Sequence, residues 1–221
     1  MDSTIEYTCF ICIMIPLVMM TITVKAESRL LTGSVALGLF ICLFSSEVSG
    51  AMIRTFGLTN TQFITTTVTP LIEELLKAIP LLVYAFRFSS ERDKLLSCGF
   101  GIGVGFAVLE NIVILMRAIM SNPESADYLW AFVRGFGSGL MHSVTTMMVG
   151  VVLSIAFKQK KLLLPGTVAI LSVAAAYHAI YNALVQSNLR YLGIILPLFT
   201  YIVFAPMTLK GNSSGTKKEV A

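Results

Sequence analysis

The sequence predicts an all-α integral membrane protein that folds as a single bundle of about seven transmembrane helices. Of its 221 residues, 56% are hydrophobic and only 13% are charged, whereas soluble domains carry about 25% charged residues. Seven apolar segments approach the length of about 20 residues that a membrane-spanning helix needs. Lysine and arginine are also unevenly distributed between alternate connections. These observations predict one transmembrane domain over 1–209, with no separate soluble domain.

The predicted spans follow one another with short connections. They lie at roughly 8–24, 30–53, 63–86, 95–119, 130–157, 162–186 and 189–209. With the N-terminus outside, eleven of the sixteen lysines and arginines fall on the inner side, four on the outer side, and Lys77 within the bilayer. This bias predicts a cytoplasmic C-terminus, and the tail at 210–221 is expected to be disordered. The basic charge therefore indicates topology and not nucleic-acid binding.

The first two predicted spans contain no strong candidate for a catalytic or metal-binding residue. The span at 8–24 follows acidic residues and no basic region, as an uncleaved signal anchor does. Cys9 and Cys12 have a metal-binding or redox spacing, but no nearby residue completes such a site, so small apolar filler is the better interpretation. Glu47, in the second span, lies near the predicted outer interface and is interpreted as structural.

The third span contains the most informative feature of the chain, the adjacent carboxylates of Glu73 and Glu74. Charge at membrane depth is costly and is kept mainly where it faces a bundle interior or a wet cavity. Lys77 shares a helical face with both, so it can neutralise one carboxylate and leave the other free. An ion pair that merely allows insertion explains one glutamate but not the second. Pro70 and Pro80 flank the pair, and each frees a carbonyl that needs water or a polar partner.

Spans four and five carry glycine clusters ahead of their ionisable residues. Glycines alternate at 99–105 and at 135–139, and their small-x-x-x-small spacing is typical of closely packed membrane helices. No strand precedes them, so a dinucleotide-binding loop is the wrong interpretation. Glu110 follows the first cluster and His142 the second. Close packing is expected to bring both side chains near a neighbouring helix.

The sixth span carries the second of the chain's two histidines, His178, with Asn182 one helical turn further on. An amide at this spacing can orient the imidazole or help to bind an oxyanion. A single buried histidine is more often structural than catalytic. Here both histidines fall in mid-span, as the carboxylates do, and this coincidence favours a function.

Acid–base groups from four spans that meet at one depth predict an active site or an ion path. Two carboxylates, two imidazoles and an amide suit hydrolysis by an activated water. No serine or cysteine has an evident base partner, so a covalent nucleophile is less attractive. Two histidines and two or three glutamates can equally bind Zn²⁺ with an open coordination position. The candidate metal ligands are Glu73, Glu110, His142 and His178, and a metal-free site stays open as well.

The order of these motifs resembles the PrsW intramembrane proteases, relatives of the CAAX prenyl endopeptidase and bacteriocin-processing superfamily. The motifs that carry the resemblance are Glu73-Glu74-x-x-Lys77, Phe106-x-x-x-Glu110-Asn111, His142 and His178-x-x-x-Asn182. The CAAX branch has arginine one place after Lys77 and histidine in place of Glu110, which favours the PrsW branch. The resemblance implies cleavage of a single-span membrane protein, such as an anti-sigma factor, in a prokaryotic cell membrane. PrsW proteins are often described as metalloproteases and their CAAX relatives as metal-free glutamate proteases, so the cofactor stays open.

The resulting prediction is an intramembrane endopeptidase with a lipid bilayer and a protein substrate as its partners. Its predicted site residues are Glu73, Glu74, Lys77, Glu110, His142, His178 and Asn182. Glu73 is expected to activate the water while Lys77 holds Glu74. Glu110 is expected to share the water or a metal. The histidines, His142 and His178, are expected to bind the water, the metal or the oxyanion. Asn182 is expected to support His178. The alternative is a proton-coupled transporter or channel, because Glu and His chains also relay protons; a seven-span receptor would not need so many ionisable groups.

Overall fold

The computed structural model describes residues 26–122 and 128–209, which are almost entirely helical and contain no strand. Six long helices follow one another: α1 (Ala26–Phe56), α2 (Thr69–Arg87), α3 (Arg92–Ser121), α4 (Tyr128–Lys158), α5 (Leu163–Val185) and α6 (Leu192–Leu209). A helical turn at Thr61–Phe63 and a π-helical segment at Ile64–Val68 lead into α2, and a 3-10 turn at Lys160–Leu162 leads into α5. The prediction of an all-α bundle is confirmed.

Four helices in the described part of the chain are long and apolar enough to cross a membrane: Ser28–Phe56, Arg92–Ser121, Arg134–Lys158 and Lys160–Val185. The 19-residue helix α2 carries too many charges to qualify on composition, and α6 has only a shorter apolar stretch at Leu192–Phe204. The predicted span at 8–24, with its two cysteines, and the tail at 210–221 lie outside the described residues. The chain is a multi-pass membrane protein, while seven spans and their orientation stay predictions.

Glycines on two faces of α3 let its neighbours approach closely. A Cβ placed on Gly103 would collide with the backbone of His142 in α4. Gly105, on the opposite face, stands in the same way against the backbone of Val35 in α1. The glycines at 99–105 therefore allow two different helices, α1 and α4, to pack closely against α3. The contact at Gly103 holds the backbone of His142 directly against α3, the helix that carries Glu110.

The second glycine cluster packs less tightly than its spacing suggests. A Cβ on Gly137 would meet the carbonyl of Gly193 in α6 and the hydroxyl of Tyr181 in α5. Among the described residues, no atom of another helix lies within 4 Å of a Cβ placed on Gly135 or Gly139. Close packing at this cluster is therefore limited to one of its three positions.

The π-helical segment before α2 follows from the proline that stands there. Pro70 has no amide hydrogen and cannot donate to the carbonyl four residues earlier. The chain widens over Ile64–Val68, where the amide of Thr69 donates to the carbonyl of Ile64. Such single-turn π segments occur frequently at functional sites. Here the segment directly precedes the helical turn that carries Glu73.

Candidate active site

Six ionisable side chains from four helices form one connected, largely buried cluster in the bundle. In chain order they are Glu73, Glu74, Lys77, Glu110, His142 and His178. The first three share α2, and the others come from α3, α4 and α5 in turn. Lys77 and both histidines are 0% exposed. Charged groups at this depth incur a large desolvation cost, so their pairing decides how they can be accommodated.

Lys77 contacts three other side chains. Its Nζ lies 2.6 Å from Glu74 Oε1 and 2.9 Å from His142 Nδ1. It also lies 4.8 Å from the centre of the Phe106 ring. The ammonium therefore donates to a carboxylate and to an imidazole, with a cation–π contact on a third side. The contact between Lys77 and Glu74 is the one that the sequence spacing predicts.

The ring of His178 lies between the two glutamates of α2. Its Nδ1 is 2.9 Å from Glu74 Oε1, and an ionised carboxylate can only accept, so Nδ1 carries the hydrogen of the neutral ring. The other nitrogen, Nε2, is then an acceptor and lies 3.7 Å from Glu73 Oε2. Neither of these two atoms has a hydrogen-bond partner within the described residues. Two buried acceptors that face each other require a donor or a cation between them.

His142 holds its hydrogen on the opposite nitrogen. Because Lys77 donates to Nδ1, the hydrogen of the neutral ring is on Nε2, which lies 3.1 Å from Glu110 Oε2. The same carboxylate oxygen accepts from Ser138 Oγ and Arg134 Nη2, both at 3.2 Å. Three donors thus converge on one oxygen, all from α4, and Ser138 and Arg134 lie one and two turns before His142. The rings of His142 and His178 meet edge to face at 4.8 Å, which joins the two groups of contacts.

A cavity of about 500 Å³ adjoins the cluster. Its walls come from the second halves of α1 and α3, the start of α2, the start of α4 and the end of α5, so it lies toward one end of the bundle. The lining includes Ser49, Glu73, Glu110, Arg134 and Asn182. The two histidines are not part of the lining; each contacts one of its glutamates. Of the four candidate metal ligands named from the sequence, Glu73 and Glu110 line the cavity directly.

Asn182 has a different partner from the one expected. Its amide nitrogen donates to the carbonyl of Thr65, in the π segment, at 2.9 Å. His178 is oriented instead by the hydrogen bond that its Nδ1 donates to Glu74. Asn182 therefore fixes the chain just before α2, because the π turn frees carbonyls that need a donor. A direct catalytic part for Asn182 stays a prediction.

Arg134 is the site residue that sequence reasoning missed. It stands near the predicted outer end of a span, where a basic residue counts as a topological charge. The pattern that identifies it is the interval of four between Arg134, Ser138 and His142, which puts all three on one face of α4. That face meets Glu110.

Three side chains have the geometry of a metal-binding group. Glu73, His142 and His178 each offer one ligand atom, and these atoms lie within 4.8 Å of one another. Two imidazoles and a carboxylate are the ligand set of several catalytic zinc sites. The set fits a cation because Glu73 Oε2 and His178 Nε2 lack partners among the described residues. His142 is less available, since both of its ring nitrogens have partners, and Glu110 is not a member of this group.

A membrane-embedded bundle with such a cluster defines an intramembrane enzyme whose groups suit hydrolysis. Residues 26–209 match the family described as PrsW family intramembrane metalloprotease. This match covers well over half of the sequence, so the chain belongs to that family of proteases, and the resemblance drawn from its four motifs is confirmed. No curated protein and no solved structure matches the chain. The part that each site residue takes in the reaction stays a prediction.

Proposed function

We propose that the chain hydrolyses a peptide bond of a single-span membrane-anchored protein, such as an anti-sigma factor, with a water activated by Glu73. The observation that carries this proposal is the pair of acceptors, Glu73 Oε2 and His178 Nε2, 3.7 Å apart. Both are buried, and neither has a partner in the described part of the chain. A water between them can donate one hydrogen to each, and Glu73 also lines the cavity from which a substrate would approach.

In this mechanism Glu73 acts first as a general base and then as a general acid. It removes a proton while the water oxygen forms a bond with the scissile carbonyl carbon and the carbonyl electrons move to oxygen. The same carboxyl then gives that proton to the amide nitrogen as the C–N bond breaks. The products are an amine and a carboxylic acid, which releases its own proton to solvent.

The neighbouring residues hold this pair in its reactive arrangement. Lys77 neutralises Glu74, and Glu74 keeps the hydrogen of His178 on Nδ1. As a result His178 Nε2 stays an acceptor for the water. Metal-ligating histidines are commonly held in the same way, with the other ring nitrogen donating its hydrogen to a carboxylate.

The same residues are suited to hold a divalent cation such as Zn²⁺. Glu73, His142 and His178 would be its ligands. When bound, the cation would lower the pKa of a bound water and polarise the substrate carbonyl. A cation-free site would leave Glu73 alone to activate the water. The two versions differ in the part of Glu73, either ligand or base, and they are distinguished by the experiment below.

The distribution of positive charge supports an orientation with the N-terminus outside and seven spans. The membrane is proposed to be a prokaryotic cell membrane, as the family resemblance implies. Among the residues whose side chains the structure describes, the end of the bundle where α1 begins carries seven basic residues: Arg29, Arg87, Arg92, Lys94, Lys158, Lys160 and Lys161. The end with the cavity carries four: Arg54, Arg117, Arg134 and Arg190. By the positive-inside rule, the end with the cavity faces away from the cytoplasm.

A proton-coupled transporter or channel is the alternative. Its support is the continuous series of contacts that runs from Arg134 through the cluster to His178. A relay would have to continue to the other end of the bundle. There Leu81, Leu95 and Leu153 are each 0% exposed, and the buried hydroxyls of Ser34 and Ser154 donate to carbonyls of their own helices. A cluster that adjoins a cavity at one end and packs against buried leucines at the other favours hydrolysis over transport.

The test is Glu73→Gln, purified in lipid nanodiscs and assayed against a tagged single-span substrate, with bound metal measured in parallel. We expect cleavage to fall about 10²–10⁴-fold, the usual contribution of a general base. The matched control is Glu91→Gln, which alters an exposed glutamate paired with Lys94 and should retain full activity.

Three outcomes are informative. Near-normal cleavage by Glu73→Gln would remove Glu73 from the mechanism. Lost cleavage together with loss of a stoichiometric metal would make Glu73 a ligand. Lost cleavage with no metal in either protein would support direct activation of the water by the carboxylate.

A further inference from the structure

Besides Glu73 Oε2, two polar groups of residues that line the cavity lack a hydrogen-bond partner among the described residues. They are Ser49 Oγ, on α1, and Arg134 Nε, on α4. Ser49 is 7% exposed. The Arg134 side chain is 16% exposed and uses Nη2 to hold Glu110. Both residues line the same cavity as Glu73. A buried polar group without a partner is costly, and native structures retain few of them.

The serine is informative because other serines of the same helix behave differently. A hydroxyl in a membrane helix commonly donates to a carbonyl three or four residues earlier. Ser34 donates to the carbonyl of Leu30, and Ser45 to that of Cys42. Ser49 makes no such bond within the described chain. Its hydroxyl therefore has no competing partner within the described chain, and it belongs to a residue that lines the cavity.

We propose that this cavity binds an unwound stretch of the substrate, with Ser49 and Arg134 as the groups that bind its backbone. The inference rests on the proposed function. A volume of about 500 Å³ lies in the range of sites for drug-sized ligands, which corresponds to a few residues of extended peptide. A transmembrane helix must unwind before its peptide bond is attacked, and the freed N–H and C=O groups then need new partners at membrane depth.

The two groups supply complementary hydrogen bonds. The Nε–H of Arg134 can only donate, so its partner is a substrate carbonyl, whereas the Ser49 hydroxyl can donate or accept. Arg134 also holds Glu110, a member of the reactive cluster, through Nη2. Its contact is therefore expected close to the scissile bond. Ser49 stands on a different helix and is expected to bind the substrate backbone further along.

The first test is Ser49→Ala, assayed by steady-state cleavage of a tagged single-span substrate in nanodiscs. We expect KM to rise about threefold to tenfold with kcat nearly unchanged, because the lost bond is present in both the bound state and the transition state. Thermal unfolding should not shift downward, since the hydroxyl has no protein partner to lose. Ser49→Thr retains a hydroxyl and should keep KM near the wild-type value.

The matched control is Ser34→Ala, which removes a buried hydroxyl of the same helix that has its own partners away from the cavity. Its KM should stay at the wild-type value. An unchanged KM for Ser49→Ala, in a protein that cleaves normally, would overturn the inference and leave the proposed function intact. A wild-type protein that cleaves no single-span substrate would instead overturn the proposed function.

The second test separates substrate binding by Arg134 from simple neutralisation of Glu110. Arg134→Gln is introduced both into the wild-type protein and into Glu110→Gln. If Arg134 binds substrate, kcat/KM should fall about tenfold or more in both backgrounds. If Arg134 only neutralises the carboxylate, the substitution should have no further effect once Glu110 is uncharged, and that result would remove Arg134 from the proposal.

Discussion

The two halves of the site differ in how well their polar atoms are satisfied. In the half built by α3 and α4, Glu110 Oε2 accepts from three donors. In the half built by α2 and α5, no partner within the described residues reaches Glu73 Oε2, Glu74 Oε2 or His178 Nε2. The second half is also the more buried, since the side chain of Glu74 is 1% exposed and that of Glu110 is 18% exposed.

This difference is the basis for locating the proposed reaction within the site. A buried acceptor without a donor is unfavourable, and three of them in one place require a water, a cation or a substrate group to complete them. In the α3–α4 half, Glu110 Oε2 already has its donors, and this half supplies electrostatic support. The α2–α5 half is incomplete without such a group, so we assign the reacting water to it. Lys77 belongs to α2 but bonds to His142 of α4, and it links the halves.

The largest effect on this arrangement is expected from Lys77→Met. The substitution leaves Glu74 buried without its cation, and breaking a buried pair in this way costs about 3–5 kcal/mol. Cleavage should be lost as well, because His142 Nδ1 loses its donor. Thermal unfolding and the nanodisc cleavage assay measure the two effects.

A double variant separates stability from activity at Lys77. Lys77→Met combined with Glu74→Gln removes both charges, so it should recover much of the stability. Activity should stay low, because His142 still lacks the donor that fixes its ring. A Lys77→Met protein that is as stable and as active as the wild type would show that the link between the halves is unnecessary.

An intermediate effect is expected from Asn182→Ala. It leaves the Thr65 carbonyl without the amide that now donates to it, which should lower the free energy of unfolding by about 1–3 kcal/mol. Cleavage should fall about tenfold, in step with stability, because the π segment positions α2. Ser172→Ala is the control, since it removes an exposed hydroxyl of the same helix that donates to the carbonyl of Val168 and does not line the cavity. A large loss of kcat at unchanged stability would instead give Asn182 a direct part in the reaction.

The smallest effect is expected from Ser138→Ala. This change removes one of the three donors on Glu110 Oε2 and leaves the contacts from His142 and Arg134. Stability should change by about 1 kcal/mol or less, and the cleavage rate by less than about fivefold. A loss as large as that of Glu73→Gln would mean that the α3–α4 half is not merely supporting.

Local relations in this site could be predicted from the sequence, whereas relations between helices could not. Glu74 and Lys77 are three residues apart on one helix, so their contact follows from helical geometry. The sequence also places the ionisable residues of four spans at similar depth. The bond between Lys77 and His142 depends on the distance and rotation between α2 and α4, which are set by packing at residues such as Gly103. No spacing along the chain contains that information.

The contact of Arg134 with Glu110 and the partner of Asn182 could not be predicted from the sequence, for different physical reasons. Arg134 stands where a span begins, so its charge has an adequate explanation in membrane topology before any contact is known. The partner of Asn182 is a backbone carbonyl of the π segment, and a widened turn cannot be located from residue types alone. The same limit applies to the cavity, whose walls come from five helices. Buried polar atoms that lack a hydrogen-bond partner among the described residues, such as Ser49 Oγ, can be identified only from the three-dimensional structure.

The most direct test of the difference between the halves compares Glu73→Gln with Glu110→Gln in one preparation. The quantity to measure is the single-turnover rate of peptide cleavage, so that product release does not enter. Both variants keep a hydrogen-bond acceptor and remove a charge. The predicted result is a loss of about 10²–10⁴-fold for Glu73→Gln and of about tenfold for Glu110→Gln, whose remaining oxygen still accepts from its neighbours. Equal losses, or a larger loss for Glu110→Gln, would contradict the assignment of the reacting water to the α2–α5 half.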